Sequence, residues 1–198
     1  MFQYDSPVMA LLRGILNYVQ LSLLWILFSL PILTIGASTS ALYYATKNVL
    51  LEEKGYLFST FWKGFRKNFK QSTILWVCLA VAGILIWQDI RIMRAISDAA
   101  WSIALQYVQY LIALLLTIIF LYGMPHIARF NNSLRQIVRN SILLGIRHLF
   151  NTVFILLLIA AGAISVWLLN VLLIIMPALI MAFWCKRLEK VFSKYMQL

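Results

Sequence analysis

The side chains able to do acid–base or metal chemistry are few in this chain. They are six carboxylates (Asp5, Glu52, Glu53, Asp89, Asp98 and Glu189), two histidines (His126 and His148) and two cysteines (Cys78 and Cys185). No pair of carboxylates is set for general acid–base work, no Ser, His and Asp form a nucleophile relay, and no glycine-rich turn could cradle a phosphate. Neither cysteine has metal-ligand spacing, so both read as small buried hydrophobes. The residues point away from an enzyme, and no cofactor is expected. All six carboxylates fall between apolar runs or at their ends. A proton- or ion-coupled carrier usually keeps an ionisable group inside the span, at a cost of about 2.5–3.5 kcal/mol on insertion scales. The polar residues inside the apolar runs are neutral. Ser102, Gln106, Gln109, Ala113 and Thr117 recur at steps of three or four and share one helix face, and Asn17 and Gln20 add a second polar patch. Such a face is either hydrogen-bonding glue between helices, at about 0.6 kcal/mol per bond, or a hydrophilic groove.

The elements that carry these residues can be inferred from composition. Hydrophobic residues make up 63% and charged residues 12%, with a mean hydropathy of +0.89. A water-soluble fold could not cover such a surface, so an all-α, polytopic membrane bundle is expected as one domain over 1–198. The net charge of +11 does not imply nucleic acid, because the cations gather at the ends of apolar runs. Charges fence uncharged windows at 14–46, 71–88, 99–128 and 148–185. A crossing needs about 20 residues, so the first and last windows suggest hairpins. Six membrane-embedded segments are expected, near 11–34, 37–51, 72–88, 99–123, 150–169 and 171–187. Five is the alternative. Pro177 should kink the last segment. With both termini cytoplasmic, all but Arg91 and Arg94 of the 17 Lys and Arg face inward, as expected of a multi-pass protein of a bacterial inner membrane.

Two stretches stand out. In "LFSLPILTIGASTSALYY" (27–44) Pro31 and Gly36 interrupt an apolar run, and Thr34 and Ser38 are candidates to satisfy the backbone groups set free. The charge count puts this bend at the outer surface. Ala37, Ala41 and Ala45 form a small-residue stripe that would let helices approach closely. A tight turn between helices and a binding element are the two readings of the bend. In "YLFSTFWKGFRKNFKQ", Phe58, Phe61, Trp62, Phe65 and Phe69 make an aromatic stripe, with Lys63, Arg66 and Lys67 on other faces. An amphipathic cytoplasmic helix near 56–70 is expected in the headgroup layer, bound to membrane lipid or docked on a partner subunit.

The bend, the helix after it and the aromatic-basic stretch resemble the YesL-like family of small bacterial membrane proteins. The matching positions are Leu30, Pro31, Thr34, Gly36, Ala41, Leu42, Tyr43, Phe65, Asn68 and Gln71. Ala37 stands where the family often has Pro. The resemblance implies an accessory role beside a carbohydrate ABC importer, with ABC permease subunits as partners and a sugar or other neutral polar molecule as the ligand, if any. A stand-alone oligomeric transporter or channel, with Gln106 and Gln109 lining the path, is the alternative. A membrane sensor or regulator of uptake is the third reading.

Overall fold

Pro31 ends the first helix because it has no N–H to donate to the carbonyl of Leu27. The computed structural model describes residues 7–96 and 100–196. In it helix α1 (Pro7–Ser29) stops two residues before this proline, which adopts an extended backbone (φ −71°, ψ 111°). The Thr34 hydroxyl lies 2.6 Å from the Phe28 carbonyl and 2.7 Å from that of Pro31, so it can serve either acceptor left by the break. A single 3₁₀ turn (Ile32–Thr34) leads into α2 (Ile35–Ala45). Gly36 is not there for a reversal of the backbone. A Cβ on it would lie 2.5 Å from the Ser72 carbonyl oxygen and 2.6 Å from the Trp76 Cβ, so it is a point of close helix approach. Ala37, Ala41 and Ala45 are fully buried along the same helix. Ser38 is also buried, but its hydroxyl has no partner among the described residues and satisfies nothing at the break.

A π-helical turn (Thr46–Leu51) and a short loop connect α2 to α3 (Leu57–Ile96). The 40 residues of α3 form one rod about 60 Å long. The stretch near 56–70 is therefore no separate helix, but the opening turns of a helix that continues through the next apolar window. Nothing interrupts it, since its two glycines, Gly64 and Gly83, are isolated and no proline occurs in the run. Its start is fixed by packing: the Phe28 ring lies 5.1 Å from that of Phe65 and 5.6 Å from those of Phe61 and Trp62.

The chain continues through α4 (Ala100–Arg129), α5 (Leu134–Arg147), α6 (Leu149–Leu168), a 3₁₀ turn (Asn170–Ile174) and α7 (Met176–Met196). The described residues are helical with no strand. Ser133 and Gln136 close a capping box at the start of α5, with the Ser133 N–H donating to Gln136 Oε1 at 3.1 Å. Pro177 lies in the first turn of α7, where a proline removes no needed donor, so it begins the helix and does not kink it. The proline inside a helix is Pro125, in α4.

Among the described residues, four helical stretches are long and apolar enough to cross a membrane: Leu12–Ser29, Leu57–Arg94, Ile103–Arg129 and Leu149–Leu168. They suggest a membrane protein, with four such spans where six embedded segments were expected. The stretch 37–51 is the clearest difference. Its α-helix has 11 residues, about 16 Å, far short of a hydrocarbon core of about 30 Å. Instead α2 is enclosed by the bundle, and Leu21, Leu42, Tyr43, Phe61, Tyr122, Trp184 and Phe192 belong to one core cluster around it. A smaller cluster joins Leu75, Ile119, Met124, Ile127 and Ile137. By contrast, Ile84, Leu85 and Trp87 of α3, Leu111 of α4 and Trp167 of α6 are exposed, as lipid-facing side chains of a membrane bundle would be.

The position of the bend along α3 is fixed by one hydrogen bond. Trp76 Nε1 donates to the Ile32 carbonyl at 2.7 Å. On α3, Trp76 lies about 20 Å before Asp89. The bend thus sits beside the middle of α3, not at its Asp89 end. The window 14–46 holds no charge to mark depth, so a charge count could not locate a turn inside it.

Candidate functional site

Three helices meet where α2 ends. Tyr43 comes from the last turn of α2, Arg129 is the last residue of α4, and Glu189 lies in the second half of α7. Tyr43 donates its hydroxyl hydrogen to Glu189 Oε1 at 2.6 Å, and Glu189 Oε2 pairs with Arg129. The Arg129 guanidinium also lies 5.6 Å from the ring centres of both Phe130 and Phe192, within cation–π range. Its charge at the C-terminus of α4 suits the helix dipole. Burial holds the Tyr43 phenol well above its ordinary pKa, and neighbouring Cys185 pushes the same way against the opposing Arg129 charge. The phenol is therefore a neutral donor. The carboxylate is held by two helices from outside its own, so the group joins α2, α4 and α7.

A second polar chain adjoins it. Gln71 Nε2 of α3 donates to the Asn132 carbonyl at 2.6 Å, and Asn132 Nδ2 lies 2.9 Å from His126 Nε2. His126 is only 6% exposed, and its Nδ1 has no partner among the described residues. Beside it is a cavity of about 240 Å³ lined by His126, Phe130, Asn140, Leu143, Leu144, Arg147 and Phe192. A larger apolar groove of about 590 Å³ is walled by α1, α2, α3, α4, α6 and α7, with Trp25, Trp76, Phe120 and Trp184 among its lining side chains.

The residues singled out from sequence are dispersed around this junction. Of the bend residues, Pro31 and Thr34 shape the α1–α2 turn, Gly36 lets α2 lie close against α3, and Ser38 is buried with no hydroxyl partner among the described residues. The aromatic stripe is split: Phe61 and Phe65 are buried in the core, whereas Phe58, Trp62 and Phe69 are exposed together with Lys63, Arg66 and Lys67. The polar face of α4 does not act as a unit. Gln109 donates to Asp89 of α3, Thr117 bonds back to the Ala113 carbonyl at 2.9 Å, and Gln106 is half-buried. The Ser102 side chain lies outside the described residues. Tyr43, Arg129, Glu189 and His126 were missed as a group because 146 positions separate Tyr43 from Glu189. One signal was available: Glu189 is a lone carboxylate among Lys186, Arg187, Lys190 and Lys194.

Residues 18–90 match the family model described as "Protein of unknown function, DUF624". The chain is also 26% identical over 156 residues to "Uncharacterized protein YesL" of Bacillus subtilis (strain 168), covering 77% of this chain and 71% of that relative. Over these stretches the chain is similar to both. No solved structure matches it. The part matched by the family model spans the second half of α1, the bend, α2 and α3 as far as Ile90, so it includes Tyr43 and Gln71 but neither Arg129 nor Glu189.

Proposed function

We propose that this chain is a non-enzymatic accessory subunit of a bacterial carbohydrate ABC import system, resident in the cell membrane and acting through other membrane subunits. The observation that carries this reading is the closed Tyr43–Glu189–Arg129 group. Its carboxylate is committed to two partners that fasten helices together, which suits a rigid scaffold better than a site where protons or ions are handed on. The α4 polar residues point the same way, since Gln109 and Thr117 are bonded within the protein. The resemblance noted from the sequence supplies the importer, and the exposed Phe58, Trp62, Lys63, Arg66 and Lys67 at the start of α3 supply a surface for a permease or for lipid.

Affinity purification of the tagged chain from native membranes tests this. Permease subunits should come with it in fixed ratio, and replacing Lys63, Arg66 and Lys67 with Gln should reduce that recovery. A chain that purifies alone argues against the reading. Flux of a sugar into liposomes containing only this chain would establish the stand-alone transporter instead.

A further inference from the structure

We propose that the groove between α3 and α5 binds an anionic glycerophospholipid, with its phosphate on Arg135 and Arg139 and an acyl chain along the groove floor. Ile74, Leu75 and Cys78 of α3 face Val138 and Ile142 of α5 across a space of about 550 Å³. Ligand clefts usually hold about 300–1,000 Å³. Arg135 and Arg139 also line this space. They stand four residues apart, so they are neighbours on one face of α5, about 6 Å from each other at Cβ. Both are exposed, and neither side chain has an ion pair or hydrogen bond among the described residues. No carboxylate among the described residues lines the groove, and Glu52, Asp89 and Glu189 are engaged elsewhere. The place of the groove selects its occupant. The bond from Gln71 to the Asn132 carbonyl sets the start of α5 level with the first residues of the uncharged window 71–88. Lys70, exposed and four residues before Ile74, extends the cationic rim on the same face of α3. Charge therefore gathers at this end, while the aliphatic floor runs on to Cys78 and Ile142. An anionic phospholipid has the same order, head group outward and chain inward. Guanidinium groups suit phosphate oxygens, and the arginine stems can lie on the apolar floor. A soluble anion would leave that floor uncovered, and an uncharged lipid would leave the arginines without a counter-charge. The inference stands independently of the importer reading.

The test is native mass spectrometry of the full chain in detergent, titrated with dioleoyl phosphatidylglycerol. One tightly retained lipid per chain is expected. Phosphatidylcholine of the same acyl chains, which has no net charge, and glycerol phosphate, which has no chains, should each bind roughly tenfold more weakly or worse. Arg135→Gln combined with Arg139→Gln should weaken phosphatidylglycerol by about tenfold. Cys78→Trp, at an exposed position on the groove floor, should weaken both phospholipids by filling the space. Lys186→Gln combined with Lys190→Gln changes an equally spaced, exposed pair on α7 off the groove, and should leave binding within about twofold. A phosphatidylglycerol with a diazirine in its acyl chain should label 74–78 and 138–142. Equal affinity for the two phospholipids, equal losses in the two double variants, or labelling confined to other segments would overturn the proposal. So would a dimer that retains no lipid and is broken by Cys78→Trp, which would assign the groove to a second copy of the chain.

Discussion

Glu189 accepts from Tyr43 and pairs with Arg129, so each of these side chains should be costly to delete singly. A hydrogen bond to a charged group contributes about 1.5–3 kcal/mol. Tyr43→Phe should therefore lower stability by about that amount in thermal unfolding in detergent, and a change under about 0.5 kcal/mol would show that the bond contributes nothing. Glu189→Gln leaves Arg129 without its counter-charge. Breaking a fully buried pair costs about 3–5 kcal/mol, but these side chains are 12% and 22% exposed, so roughly 1–3 kcal/mol is expected after allowing for solvent screening. Because the two changes share one acceptor, the double variant should lose less than the sum of the singles. Glu52 provides a contrast at the surface. A hydrogen bond from Lys54, helped by the charges of Lys47 and Lys54, holds its carboxyl below the ordinary value of 4.5 against the opposing effect of burial. A depressed carboxyl stabilises the fold above its unfolded pKa and loses that contribution as pH falls through the folded value. Removal by Glu52→Gln should thus lower stability slightly at neutral pH, where the contribution is fully present, and flatten the acid limb.

Helix contacts explain why some signals were legible in the chain and others were not. The ends of α1 and α5 could be read locally, because Pro31 forbids a backbone bond and Ser133-x-x-Gln136 forms a cap within four residues. The role of Gly36 could not be read that way. Glycine suits both a reversal and a close approach, and only the position of Ser72 on another helix decides between them. Gly36→Ala should force α2 away from the α3 backbone and cost about 1–3 kcal/mol. Gly83→Ala, where an added methyl meets nothing within 4 Å, should be neutral or stabilising by up to about 1 kcal/mol through helix propensity. Equal effects at the two positions would refute the close approach. The stripe around Phe61 was likewise half legible: its helical period was visible, but which rings face the core depends on Phe28 arriving from α1.

Over the whole molecule, hydropathy located the apolar helices because lipid selects for length and composition, both of which are local properties. It could not distinguish a short crossing from an enclosed helix, since the residues of α2 are apolar either way and only their neighbours differ. Nor could it separate a membrane-surface helix from the first turns of a longer rod. Spin labels at Phe58→Cys and Gln88→Cys, with Cys78 and Cys185 replaced by Ala, would measure that rod directly. A distance of about 45 Å is expected for a continuous α3, and one well under 40 Å would mean a break near residue 70. The proposal that this scaffold serves an importer is tested most directly by uptake itself. In cells lacking the chain, accumulation of a radiolabelled oligosaccharide should fall and should be restored by the wild-type chain but much less by the Lys63, Arg66 and Lys67 triple Gln variant. Uptake unchanged by the deletion would contradict the account.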